Sequence, residues 1–176
     1  GAATEANLKS VRSPAILHLA SHGFFSSDVV SLNTEAKKEF LFHSGIVLTG
    51  ANRSLSTGST SFHNDGIVTA FEVMNLDLSN TQLVVLSACE TGLGKIENGE
   101  GVFGLQRSFM QAGARNVLIS LWKVDDGGTR DLMIRFYEYL ALGNTLHNSL
   151  KKAQSDQAKL LSKPSLWGGF VLVGNN

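Results

Sequence analysis

The apolar residues of this chain fall into short, dense runs separated by stretches with helical spacing. Leu83-Val84-Val85-Leu86 is unbroken by polar residues and β-branched at its centre, the pattern of a strand buried on both faces of a parallel sheet. A second run, Ala15-Ile16-Leu17-His18-Leu19-Ala20, follows Pro14, and a third spans residues 116–122. A last strand is predicted over 167–173, and a weaker alternation at Ser44-Gly45-Ile46-Val47-Leu48 predicts a hairpin or edge strand. Helical spacing predicts the end of a helix over 4–12 and helices over 66–75, 102–113, 129–141 and 144–161. In the second of these Thr69 and Glu72 have capping-box spacing, and Ile67, Phe71 and Met74 would share one face. In the helix over 129–141, Leu132, Met133, Phe136, Tyr137 and Leu140 are predicted to face inward. Residues 26–31, 53–65 and 91–101 have loop character, the last punctuated by glycine. Strands that alternate with helices predict an α/β fold with a mainly parallel sheet and helices on its faces.

Composition narrows the function classes. The 176 residues are 43% hydrophobic and 17% charged, which suits one domain with a sizeable core. No apolar run approaches the ~20 residues of a membrane-spanning helix, and the amino terminus has no signal-peptide pattern. Fifteen basic residues balance fifteen acidic ones, which argues against a nucleic-acid footprint. A single cysteine cannot form an internal disulfide, so a cytoplasmic location is expected.

That cysteine carries the chemistry. The run at 83–86 continues as Ser87-Ala88-Cys89-Glu90-Thr91-Gly92-Leu93-Gly94, and the run at 15–20 as Ser21-His22-Gly23. Open α/β folds place their chemistry at the carboxyl ends of strands, so the fold can bring Cys89 and His22 together. A thiolate nucleophile needs an adjacent base, and His22 is the candidate. Gly23 has no side chain, so its N–H can approach a substrate and, with the N–H of Cys89, form an oxyanion hole. The competing view of Cys89 is a small buried hydrophobe. Its place beside glycines, with His-Gly at another strand end, favours the nucleophile.

The remaining candidates have bland rivals. His18 and His22 could share a strand face, but no further ligand has zinc spacing, so His18 is expected to be a satisfied core histidine. His43 and His63 are expected to be exposed, and His147 is assigned nothing. Gly92-Leu93-Gly94-Lys95 lacks the spacing of a P-loop, and Glu97 stands where a dinucleotide motif needs its third glycine. No metal and no cofactor is therefore expected. Asp125 and Asp126 either line a pocket for a basic group or cap the following helix, and capping is the default. Trp122 either walls a pocket or packs in the core.

Taken together, these motifs resemble the CHAT domain, a caspase-like cysteine peptidase module found mainly in bacteria. The match runs in order through Ile16-Leu17-His18-Leu19-Ala20-Ser21-His22-Gly23, Ser44-Gly45-Ile46-Val47-Leu48-Thr49-Gly50-Ala51-Asn52, residues 83–94, Gly99-Glu100-Gly101-Val102-Phe103-Gly104-Leu105 and Ala112-Gly113-Ala114-Arg115. It continues through residues 120–129, Phe136-Tyr137 and Trp167-Gly168-Gly169-Phe170-Val171-Leu172-Val173-Gly174. The resemblance implies a caspase-like three-layer sandwich with Cys89 as nucleophile, His22 as base and Gly23 as oxyanion donor. It implies a specificity pocket shaped by residues 120–126, with Ser120, Trp122, Asp125 and Asp126 as candidates. Asp126 there would favour cleavage after Arg or Lys.

The resemblance also implies a protein or peptide substrate and control by tetratricopeptide repeats in the same protein or by a partner. The family's domain usually begins with a further strand and helix, so residues 1–176 are expected to be one such domain lacking that start, a fragment of a longer protein. The polar stretch 53–64 is either an activation or gating loop or tolerated length. The expected function is a cysteine endopeptidase working through a thioester. The alternatives are a catalytically silent caspase-like scaffold and, less favoured, a nucleotide-binding domain.

Overall fold

In the computed structural model the described residues are 3–25, 40–42, 44–52, 64–87, 100–122 and 124–174. Two sheets organise them. The larger has four strands: β1 (Ile16–Leu19), β5 (Leu83–Leu86), β6 (Asn116–Ser120) and β7 (Phe170–Gly174), in the order β1-β5-β6-β7. The first three are parallel and β7 closes the edge antiparallel to β6. The smaller sheet is antiparallel, in the order β2-β3-β4, from β2 (His22–Phe25), β3 (Ser44–Val47) and β4 (Ile67–Thr69).

Alternation along the strands separates two cores, as a pleated sheet requires. Val84, Leu86, Val117 and Ile119 face one cluster, which also holds Ile46, Val68, Leu105 and Phe109. Leu83, Val85 and Leu118 face the other, with Leu132, Met133, Phe136 and Ala153. The first core lies beneath α1 (Glu5–Lys9), α2 (Ala70–Val73), α3 (Glu100–Gln111) and the small sheet. The second lies beneath α4 (Asp126–Ala141) and α5 (Leu146–Leu160). The result is a three-layer α/β sandwich with a mainly parallel centre.

The elements stop and start where local chemistry dictates. Gly113 ends the turn after α3 at φ +109°, and a Cβ there would meet the backbone of Ser79 at 2.8 Å. Asp125 caps α4 by accepting from the Gly128 N–H at 2.9 Å, so α4 begins three residues before the predicted start at 129. Thr145 caps α5 in the same way.

Three expectations are corrected. Residues 66–75 are not one helix: Ile67 lies in β4, and Thr69 caps the short α2 through a complete capping box. Phe71 therefore lies on an exposed helix face rather than sharing a buried one with Ile67. The β-branched Ile67 and Val68, paired with Val47 and Ile46, explain the strand. Second, the chain turns at Ala20-Ser21, and His22 opens a strand of the small sheet rather than ending the strand begun at residue 15. Third, β7 begins at Phe170, because Trp167 closes a 3₁₀ turn (Pro164–Leu166).

A polar corner fixes the small sheet to the rest. Glu5 is 1% exposed, and its Oε2 accepts from the Gly66 N–H at 3.0 Å, just before β4. The Lys9 ammonium donates to Glu5 and also to Glu72 at 2.8 Å. Glu72 in turn accepts from both the N–H and the hydroxyl of Thr69 at 2.9 Å. Burial alone would raise the Glu5 pKa; the hydrogen bonds from Lys9, Gly66 and Asn64 outweigh it and leave the carboxyl below its ordinary value. Burial opposes the charge on Lys9 too, yet its two carboxylate partners raise its pKa.

Candidate active site

The carboxyl ends of the three parallel strands lie at one edge of the large sheet. In the β1–β5 register Leu19 pairs with Leu86. The Ser87 N–H donates to the Leu19 carbonyl at 3.0 Å, so the two chains still run side by side where they leave the sheet. His22 stands three positions past Leu19, and Cys89 three positions past Leu86. Neighbouring strands are ~4.8 Å apart. The topology thus brings Leu19, three positions before His22, and Ser87, two positions before Cys89, side by side at the ends of adjacent strands.

His22 is exposed, and its backbone pairs with Val47. Gly23, beside it, is buried and pairs with Ile46. Cys89 lies outside the described residues, as do His43, His63 and the whole stretch 88–99 with its glycines. Most of the polar stretch 53–64 lies outside them too.

The pocket candidates leave β6 at the same edge. Ser120, the last residue of β6, is 1% exposed and pairs with Phe170. Trp122 is half-exposed, its indole N–H donating to the Ser165 carbonyl at 2.9 Å. Its ring lies against Gly169, where a Cβ would come within 3.1 Å of it. Asp125 is the α4 cap, and Asp126 is exposed in the first turn of that helix. A groove of about 630 Å³ begins at Asp125 and runs between α4 and α5, past Asp131, Glu138 and Gln157, away from the His22 edge.

His18 corrects the expectation of a core histidine. It is exposed, because β1 is the outermost strand of the large sheet, yet both ring nitrogens are partnered. Nε2 is 3.0 Å from Ser87 Oγ and Nδ1 is 3.0 Å from the Tyr137 hydroxyl. Desolvation by the surrounding side chains holds its pKa below the ordinary histidine value, which favours the neutral ring. With both nitrogens engaged, and His22 in the other sheet, the two histidines do not form a metal pair. Among the described residues, no three His, Cys, Asp or Glu side chains gather as metal ligands.

Ser87 and Tyr137 are the site-edge residues that sequence reasoning missed. Their signal was present: His18 interrupts one apolar run and Ser87 ends another, and the two runs are neighbours in the sheet. Tyr137 was read only for its apolar ring.

A family model described as the CHAT domain matches residues 1–175. The chain belongs to the CHAT domain family. Tetratricopeptide repeat protein 28 of Mus musculus is 35% identical over 112 residues, and its counterpart in Homo sapiens is 36% identical over 114 residues. Each alignment covers 62% of this chain and 4% of the relative, so the chain spans a small fraction of the curated proteins it matches. The three-layer sandwich is the caspase-like α/β architecture of the CHAT family. Among the described residues, no helix is long and apolar enough to cross a membrane.

Proposed function

We propose that this CHAT domain is a cysteine endopeptidase working through Cys89 and His22. The observation that supports the reading is the β1–β5 register, in which Leu19 and Leu86 pair at the ends of adjacent parallel strands. In the mechanism His22 takes the proton of the Cys89 thiol, and the thiolate attacks the scissile carbonyl. The N–H groups of Gly23 and Cys89 hold the oxyanion. As the C–N bond breaks, His22 protonates the leaving amine. Water, deprotonated by His22, then attacks the thioester, releasing the carboxylic acid and regenerating the thiol.

Asp126, exposed where α4 begins beyond the β6 exit, is proposed as the acid that favours Arg or Lys before the cut. The relatives' name, tetratricopeptide repeat protein 28, supports a setting in which tetratricopeptide repeats deliver or restrain the substrate. A reducing compartment such as the cytoplasm would keep Cys89 as a thiol.

The test is digestion of a diverse peptide library by the chain and by Cys89→Ala, read by mass spectrometry. Cuts made by the chain and abolished in Cys89→Ala are expected, with basic residues before them. Cleavage surviving in Cys89→Ala, or no cleavage together with ordinary thiol reactivity, overturns the reading. The second of those outcomes would leave a caspase-like scaffold.

A further inference from the structure

The His18 ring joins an edge strand, the exit of its neighbouring strand and a helix packed on the large sheet. It projects from β1, bonds the hydroxyl of Ser87 at the exit of β5, and bonds the hydroxyl of Tyr137 on α4, each at 3.0 Å. The His18 and Tyr137 rings also pack, with centroids 5.7 Å apart, and Tyr137 packs edge-on against the fully buried Phe136. The hydroxyl of Tyr137 is thus held by a helix anchored in the core. The histidine transmits that anchor to Ser87, a half-buried residue two positions before Cys89.

A neutral imidazole offers one donor and one acceptor, and a hydroxyl can serve as either. The chain Tyr137–His18–Ser87 is therefore satisfied at both ring nitrogens only while His18 is neutral or its hydroxyl partners reorient. The lowered pKa of His18 agrees with the neutral form. Tyr137 is the titratable side chain that the described structure places against the ring. Its own pKa is raised by burial, so it remains a hydroxyl at neutral pH. A polar chain of this kind narrows the positions open to the segment it holds.

We propose that His18 is a positioning residue, which fixes the exit of β5 through Ser87 and so sets Cys89 against its base. The inference rests on the Cys89–His22 reading above and adds what holds that pair in register. Its consequence is chemical. A thiol held beside a histidine ionises below the ordinary cysteine range near 8.5. A thiol whose segment has been loosened drifts back toward that value.

The chain's single cysteine makes the measurement clean, because alkylation located on cysteine by peptide mass spectrometry is alkylation of Cys89. The rate with iodoacetamide is followed from pH 5 to pH 10 for the unaltered chain, Tyr137→Phe and Ser87→Ala. Each substitution removes one hydroxyl and little volume, and thermal melting checks that the fold is kept. The expected result is a low midpoint for the unaltered chain. In both variants the midpoint rises by about one pH unit, with about tenfold slower alkylation at pH 6 and unchanged rates at pH 10. A low midpoint in the unaltered chain that neither variant moves overturns the inference and leaves the dyad standing. An ordinary midpoint in the unaltered chain overturns both. Loss of the fold in both variants makes the triplet a structural element, which also overturns the inference.

Discussion

The two sheets of this molecule are held in place by opposite means. In the large sheet every residue of β5 and β6 is buried, and apolar side chains on both faces fix the strands. In the small sheet β2 carries the exposed His22, and β4 is three residues long. Apolar burial at Ile46 and Val68 holds one face of it, while the corner of Glu5, Lys9 and Glu72 ties down its β4 end. A sheet fixed by two cores carries Ser87 at the exit of β5, and one fixed by a single apolar face and a charged corner carries His22. The proposed dyad thus depends on a joint between a stiff support and a softer one.

Substitutions that weigh differently on the two sheets would break or sharpen this contrast. Phe109→Ala, at a fully buried position in the core shared by both sheets, should cost about 3–5 kcal/mol. Denaturant unfolding should show the loss as a lower midpoint with the same slope. Glu5→Ala strands the Gly66 N–H and leaves Lys9 short of a partner in a half-buried setting. A loss of about 1–3 kcal/mol is expected, with a larger fractional loss of the proposed peptidase activity than Phe109→Ala produces per unit of stability. Equal ratios for the two variants would show that the corner does not govern the small sheet separately.

Gly45→Ala sharpens the comparison inside the small sheet. Its Cβ would fall 2.4 Å from the Val68 carbonyl oxygen and 2.8 Å from the Phe24 ring. A cost of about 1–3 kcal/mol is expected, with hydrogen exchange accelerated in β2–β4 and unchanged in β5 and β6. Thr69→Ala removes the cap of α2 and should cost about 1 kcal/mol by thermal melting.

The corner also has a pH signature. The Glu5 carboxyl titrates below its ordinary value in the folded protein, so the unfolded chain takes up its proton first as pH falls. Its contribution to stability is complete above the unfolded carboxyl value of about 4.3 and fades below it. Melting temperature should drop on acidification below about pH 4.5, and less steeply in Glu5→Gln.

What the sequence revealed follows the same division. The buried strands at 83–86 and 116–120 and the helices α4 and α5 were legible because apolar runs and 3.6-residue periodicity are local patterns. The small sheet was harder to see. Its strands are three or four residues long, and Ile67-Val68 sits just before a capping box, so helical spacing continued backward over a strand. The order Leu19-Ala20-Ser21-His22 gave no sign that the chain changes sheets, because that turn is set by pairing with β3, far along the chain. His22 and Cys89 stood out as residue types at strand ends. The His18–Ser87–Tyr137 triplet needed the register of β1 against β5 and the packing of α4, which no local pattern encodes.

Both tryptophans of the chain, Trp122 and Trp167, donate their indole N–H groups to carbonyls within five residues, Ser165 in the 3₁₀ turn and Leu161 at the end of α5. Intrinsic tryptophan fluorescence therefore reports a single corner beside the β6 exit, at the stiff sheet. An unfolding curve followed by that emission is blind to early loss of the small sheet, whereas circular dichroism is not. Non-coincident curves from the two signals would reveal which part of the molecule gives way first.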